Sequence, residues 1–405
     1  MIATVQISVA PGTFLAIVAA SALAATLATF LAGRNLLVHV VVLELVFGII
    51  LGPEIIGLHP TVLISFFSDL GLGLLFFFAG YEIDMHQIAG SPLRLGLLGW
   101  ALSLAIAYTI GAGLAAAGIV LSLLYTGSAL STTSIGMLIP LMADAGDLRT
   151  RFGTYTLAAG SVGEFGPMLL LTLILSAQST LHNAVILLVF IGLAVSVAVL
   201  AVRSAGRTLP VFERTIDNSS QLMVRWIIVL VFALALLANE LGLDLLLGGF
   251  AAGVITRQVL RSRELPSFDS KLAAVSFGVF VPFFFVVSGM NLDVAAIFDS
   301  ASGLVKTLVF FVLFLVVRGT PALLFYRSVL DMRERVALAL MSATQLPLVI
   351  AITTLAVDTG HMRASTAAEL VGGAVLTTLV FPTVAMRVRG ERTSREVDLA
   401  VVAAE

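Results

Sequence analysis

Apolar stretches of about 20 residues follow one another along almost the whole chain, and that pattern leaves few folds open. About 20 apolar residues in a helix cover the ~30 Å of a bilayer's hydrocarbon. In lipid every backbone N–H and C=O must find a partner inside its own segment, so such stretches become helices. Thirteen can be placed, near 11–31, 37–53, 60–80, 92–116, 121–141, 150–177, 181–203, 220–238, 243–257, 270–292, 303–326, 335–356 and 365–386. Only 11% of the 405 residues are charged, against about 25% in a soluble globular protein. The expected fold class is therefore an all-α membrane protein. The net charge of −2 supplies no polybasic surface for nucleic acid, and membrane lipid is the surrounding partner. With no cysteine in the sequence, disulfides, thiolate nucleophiles and cysteine metal sites are excluded. Met1 to Thr13 hold no Lys or Arg, so the first apolar run reads as a retained helix rather than a cleaved leader.

Lys and Arg accumulate on the cytoplasmic side of membrane proteins. With the N-terminus outside and the C-terminus inside, the cytoplasmic connections collect 19 of the 22 basic residues, and only Lys306 and Arg363 fall outside. Arg318 is then left alone within the eleventh helix.

The halves of the chain resemble each other. Gly80-Tyr-Glu-Ile-Asp84 follows Phe76-Phe-Phe, and Gly289-Met-Asn-Leu-Asp293 follows Phe283-Phe-Phe. Ser128-Ala-Leu-Ser-Thr-Thr-Ser134 precedes Ala143-Asp-Ala-Gly146 at the spacing at which Ser342-Ala-Thr-Gln-Leu-Pro-Leu348 precedes Val357-Asp-Thr-Gly360. The charge distribution makes the two copies run in opposite directions, an inverted repeat, the arrangement of secondary transporters with a mid-plane site at interrupted helices. The expected layout is repeat 1 over 37–177, a linker helix over 181–203, repeat 2 over 220–388, and a short cytoplasmic tail over 391–405 after a membrane domain of 1–390. The hydroxyl run Ser131, Thr132, Thr133 and Ser134 can bond freed backbone groups, and Pro347 removes a donor. Both are expected to mark unwound helix, in the second repeat around Thr344, Gln345 and Pro347. Small hydroxyl residues packing between helices give the plainer alternative.

Two charges stand where charge is costly. Glu164 lies thirteen residues beyond Arg151, or about 20 Å along a helix. Arg318 lies twelve beyond Lys306, about 18 Å. An ionisable side chain at the bilayer centre is a functional candidate by default. At one depth the two are expected as partners, directly or across the site, with a structural salt bridge as the bland alternative. A buried carboxyl near a positive group can hold a proton or a cation but not both, and that competition is exchange. The candidate binding set is Glu164, Ser131, Thr132, Thr133 and Ser161, with a monovalent cation at Glu164 and Arg318 as charge partner. Because Gly163 rather than a second acid precedes Glu164, one proton per cation and electroneutral turnover are expected. Asp84 and Asp293 read as capping or packing residues at the repeated helix ends, Glu44 and Glu369 as lining or pairing acids, Tyr81 and Glu82 as interfacial, and His361 as at most a weak pH sensor in an outer loop. No metal-ligand spacing of histidines, no cofactor motif and no nucleophile with a base occurs, so an enzyme is not expected.

The segments Glu44 to Pro53 (ELVFGIILGP), Gly71 to Asp84 (GLGLLFFFAGYEID), Ser128 to Gly146, Phe280 to Asp293 (FVPFFFVVSGMNLD) and Ala343 to Pro347 resemble the monovalent cation:proton antiporter-2 family, which includes Kef-type potassium and sodium/proton antiporters. The resemblance covers about residues 10 to 388. It implies the sodium/proton antiporter fold, a homodimer of thirteen-helix protomers, each with a dimerisation panel and a mobile core holding two crossed broken helices. The implied function is secondary active exchange of Na+ or K+ for H+ by alternating access, serving ion transport and pH homeostasis at the cell membrane. The family's acidic motif, commonly Asp-Asp, Asn-Asp or Gln-Asp, falls on Gly163-Glu164, and its basic residue on the eleventh helix falls on Arg318. Its crossing segments fall on Ser131 to Ser134 and Thr344 to Pro347. Glu in place of Asp, and Gly163 in place of the first motif side chain, are departures, so the choice of ion does not carry over. Kef-type members continue into a nucleotide-binding domain, whereas about fifteen residues follow Arg389 here, and regulation by such a domain is not expected. Two other readings on the same fold are a cation channel and a transport-inactive membrane receptor.

Overall fold

The computed structural model of the protein describes residues 10–34, 38–82, 88–148, 150–174, 180–215, 221–241, 243, 245–260, 266–298 and 301–390. Asp84 and the tail 391–405 lie outside the described residues.

Among the described residues the chain is helical throughout, with helix on each of the thirteen expected segments. In chain order these are α1 (Pro11–Ala32), α2 (Val40–Leu51), α3 (Val62–Tyr81), α4 (Ser91–Ala116), α5 (Leu123–Leu130), α6 (Ile135–Asp144), α7 (Arg151–Ile174), α8 (Thr180–Thr215), α9 (Leu222–Glu240) and α10 (Leu245–Val259). Then come α11 (Pro266–Val275), α12 (Val281–Met290), the short α13 (Ala295–Phe298), α14 (Ala301–Phe325), α15 (Met332–Ser342), α16 (Pro347–Asp358) and α17 (Ala364–Arg389). Nine spans among the described residues are long and apolar enough to cross a membrane, which makes this a multi-pass membrane protein.

Three local departures from the expected segments have identifiable causes. The tenth segment is not one regular helix, because a π-helical turn at Ser276–Phe280 separates α11 from α12. Pro282 stands just beyond that turn; it has no N–H to give and its ring crowds the carbonyl one turn back, so the helix widens there. The linker helix α8 runs on to Thr215, twelve residues past its expected end. In the second segment α2 has only 12 residues, about 18 Å of rise, because Gly52 turns extended and Pro53 cannot continue it.

Close packing sets the places of these helices. Helix α2 lies on α12 through Gly48 and Gly289: a Cβ on the first would strike the carbonyl of Val286, and one on the second that of Leu45. Helix α3 meets α10 in the same way, Gly80 against the Phe250 carbonyl and Gly253 against that of Phe77. Small residues that bring backbones together are the usual device where lipid offers no hydrophobic drive between helices.

Both expected breaks are present. Helix α5 stops at Leu130 and α6 begins at Ile135, with Ser131–Ser134 unwound between them. Helix α15 stops at Ser342 and α16 begins at Pro347, which opens the new helix as its first residue, where its missing N–H costs nothing and its φ is already helical. The two breaks lie against each other. The Ser134 N–H donates to the Thr344 carbonyl at 3.0 Å, the Thr133 hydroxyl to the Ser342 carbonyl at 2.5 Å, and the Thr132 hydroxyl to Gln345 Oε1.

Candidate functional site

Four helix ends meet at the paired breaks: the C-termini of α5 and α15 and the N-termini of α6 and α16. A helix carries about half a positive charge at its N-terminus and half a negative charge at its C-terminus. Such ends can hold opposite charges that would otherwise be costly at this depth.

Glu164, on the unbroken helix α7, uses this. Its side chain is 8% exposed, and Oε2 accepts the N–H of Ile135 at 2.8 Å. Ile135 is the first residue of α6, so the carboxylate caps the half-helix. Neighbouring backbone fixes α7 to the break, because the Thr133 N–H donates to the Gly163 carbonyl at 3.0 Å.

Arg318, on α14 and 4% exposed, serves the opposite pole. Its Nε donates to Thr133 Oγ1 at 2.9 Å and, at 3.4 Å, to the carbonyl of Ser342, the last residue of α15. Nη1 donates to Ser103 Oγ on α4 at 3.2 Å, and Nη2 to the Ala159 carbonyl at 3.1 Å. Ser103 is itself held by donating to the Val317 carbonyl at 2.9 Å.

Of the two arrangements open to this pair, the structure adopts the one across the site. Among the described residues Glu164 and Arg318 form no ion pair; each faces a half-helix end of opposite sign. Gly163 explains why. A Cβ there would run into Arg318 Nη2 and would lie 2.7 Å from Thr133 Oγ1. The guanidinium fills the space of the missing side chain, one residue round the helix from Glu164.

The remaining candidates divide by what their polar atoms do. Thr133 is fully engaged, accepting from Arg318 and donating to Ser342. The Ser131 hydroxyl turns back to the Ser128 carbonyl at 2.9 Å and that of Thr344 to the Leu340 carbonyl at 3.1 Å. Thr132 Oγ1 also lies 2.8 Å from the Ala129 carbonyl. Gln345 is held through its backbone, with its N–H donating to Thr377 Oγ1 at 3.3 Å. Its buried Nε2 has no partner, a free donor at the break. Ser161 is buried on α7.

Other acids find ordinary uses. Glu44 accepts from Ser21 at 3.3 Å, Glu369 pairs with Lys306 at 2.9 Å, and Asp293 caps α13 by accepting from the Ala296 N–H at 3.1 Å. His361 stacks on Tyr125, with ring centroids 5.1 Å apart. Sequence reasoning missed Ser103, a lone serine in an apolar helix with no signal of its own. Glu82, expected as interfacial, follows the end of α3 and buries Oε2 beside Gly136, the second residue of α6.

Cavities lie beside the helix that leaves the second break. Two adjoining cavities of about 380 and 320 Å³ share Ser288, Asn291, Thr354 and Asp358, and Asp69 lines the larger. They follow α16 from Asp358 inward as far as Ile350, three residues from Pro347.

Known proteins resemble this chain in sequence and in fold. The profile of the family described as "Sodium/hydrogen exchanger, transmembrane" matches residues 20–387. The chain is 27% identical over 261 residues to GerN of Bacillus cereus, named a Na+/H+-K+ antiporter, covering 62% of this chain and 64% of that protein. It is 27% identical over 260 residues to the probable Na+/H+ antiporter 3 of Methanocaldococcus jannaschii, covering 62% of this chain and 65% of that protein. With the putative Na+/H+ antiporter YjbQ of Bacillus subtilis it shares 24% identity over 382 residues, 86% of this chain and 58% of that protein. The match thus spans 58 to 65% of the length of these curated relatives. The solved sodium proton antiporter MjNhaP1 of Methanocaldococcus jannaschii at pH 8 superimposes with a TM-score of 0.63 at 14% identity, over 94% of this chain and all of that one, which shows the shared fold.

Proposed function

The chain belongs to the transmembrane sodium/hydrogen exchanger family, and on that premise we propose that it exchanges a monovalent cation, Na+ or K+, for protons at Glu164. The observation that carries this reading is the Glu164 carboxylate that caps the α6 N-terminus. It is held by a backbone N–H and a helix dipole, and among the described residues it has no fixed positive partner.

That arrangement has the right energetics for a carrier. A carboxylate locked to Arg318 would have to break a buried ion pair, worth roughly 3–5 kcal/mol when one partner is removed, before it could release its counter-charge. Glu164 needs no such step. The half-helix end keeps the empty, ionised state tolerable, and a cation or a proton completes the neutralisation. Both need the same oxygens, so they exclude each other. Arg318 holds the breaks together through Thr133 and Ser342 and stays charged throughout.

The acid-lined cavity along α16 is the route from one face. Asp69 and Asp358 at its mouth raise the local concentration of cations. The charge bias of the connections supports a chain with its N-terminus outside and C-terminus inside, which makes this the outward route. Movement of the paired breaks relative to the lipid-facing helices would give the other face access in turn, in the homodimer that the resemblance implies.

The test is purified protein in liposomes with an internal pH dye, challenged with Na+, K+, Li+ or Rb+. Cation-driven pH change is expected, and Glu164→Gln abolishes it while leaving the protein folded. A wild-type protein that moves no protons under any of the four gradients would defeat the proposal.

A further inference from the structure

The cation site has a second acid, and it comes from another helix. Glu82 follows the last residue of α3 and continues its hydrogen bonding, its N–H donating to the Phe78 carbonyl at 2.9 Å. The end of α3 is firmly placed. Gly80 and Gly253 seat it on α10, and the Tyr81 hydroxyl donates to Asp269 on α11 at 2.6 Å. From there Glu82 reaches the first turn of α6. Its Oε2 lies 3.6 Å from where a Cβ on Gly136 would be, is buried, and has no hydrogen-bond partner.

Glu164 holds the N–H of Ile135 on the same turn. By backbone dimensions the two carboxyl groups are no more than about 12 Å apart. A buried carboxylate oxygen without a hydrogen bond makes the anion costly. One that faces a helix N-terminus next to an ion-binding acid has a reason to be there: the positive end steadies it when ionised, and a proton does so otherwise.

We propose that Glu82 is a second proton-carrying carboxyl of the cation site, contributed by α3 across the α6 N-terminus. Binding one monovalent cation then releases two protons, one from each carboxyl, and each full cycle moves one net charge across the membrane. The electroneutral expectation rested on Gly163, where no second acid could stand; the acid is supplied from a different direction. This rests on the reading of Glu164 as the exchange site.

The first test needs no variant. Purified wild-type protein in detergent is titrated with NaCl or KCl over a range of pH, and the protons released per bound cation are counted. A maximal count near two is expected, falling to one in Glu82→Gln. In liposomes the wild-type exchange reverses at a voltage-dependent gradient, Glu82→Gln reverses independently of voltage, and Glu82→Asp restores the dependence. Release of most of a second proton requires a coupling of about two pK units, which at an effective dielectric of about 20 places the bound cation roughly 6 Å from the Glu82 charge, well inside the ~12 Å limit; loss of that charge then weakens cation binding at high pH by about a hundredfold. A wild-type count of one overturns the proposal, even if Glu82→Gln fails to fold. So does a folded Glu82→Gln with unchanged count and voltage dependence. A wild-type protein with no cation-linked proton release at all defeats the exchange reading itself, a result distinct from a count of one.

Discussion

Gly163→Ala is the sharpest probe of how the site is built. A methyl group at this position meets Arg318 Nη2 and lies 2.7 Å from Thr133 Oγ1, so the guanidinium must move and the α7 backbone must draw slightly away from Thr133. Thr133 is fixed by the Ser342 carbonyl on one side and by its own N–H on the Gly163 carbonyl on the other. The guanidinium yields instead, and its 3.1 Å bond to the Ala159 carbonyl goes with it. A buried hydrogen bond from a charged donor is worth about 1.5–3 kcal/mol, and overpacking a tight site adds ~1–3 kcal/mol. The expected loss is therefore about 3 kcal/mol, read as a melting temperature lowered by several degrees in detergent, together with loss of exchange. Because the deepest clash is with the Arg318 guanidinium, most of the cost disappears when that side chain does, and the residual contact with Thr133 Oγ1 is all that remains. In an Arg318→Met background Gly163→Ala adds less than about 1 kcal/mol, so the double-mutant cycle shows a coupling of ~2 kcal/mol or more. Additive effects of the two changes would refute the account, and so would a Gly163→Ala protein with wild-type melting and wild-type exchange.

Thr133→Val removes the hydroxyl shared by Arg318 and Ser342 and is expected to cost about 2–3 kcal/mol of stability, with exchange lost through disorder of the breaks; a wild-type melting temperature contradicts this. Ser103→Ala leaves the Glu164 cap untouched and takes one donor target from Arg318. Melting should fall by the equivalent of roughly 1–2 kcal/mol while a measurable Na+- or K+-driven pH change survives in liposomes. Lys306→Met leaves the 2% exposed Glu369 side chain without its cation. The half-exposed lysine limits the effect to about 1 kcal/mol, and Glu369→Gln in the same background should recover most of it in a thermal melt.

How far the sequence could be read depended on whether a feature was local. Helix positions followed from apolar length, and both breaks from Ser131–Ser134 and Pro347, because each is set by residues adjacent in the chain. The common depth of Glu164 and Arg318 needed only helical rise from Arg151 and Lys306. What lay beyond reach was direction around the helix axis. Gly163 and Glu164 are neighbours in sequence but present different faces of α7, about 100° apart. The guanidinium therefore takes the glycine's face and leaves the carboxylate to α6. The surroundings of Ser103 and Glu82 were out of reach for the same reason. Each lies against a residue more than 50 positions away, Arg318 and Gly136 respectively, and no spacing along one chain records such a meeting.

This difference in facing decides what the site can do. If the two buried charges neutralised each other, the empty site would be the stable one, and a cation would have to compete with a fixed guanidinium for the carboxylate. Here the neutralising work is shared out among half-helix ends. Glu164 relies on the α6 N-terminus, and Arg318 is stabilised by the Ser342 carbonyl that ends α15. A helix end supplies only about half a charge, which leaves the carboxylate under-neutralised by about as much again. In the exchange proposed for Glu164, that residual demand is what a proton or a cation would meet. Neither occupant has to displace a protein group, and the break geometry set by Thr132, Thr133 and Gln345 can persist whichever is bound.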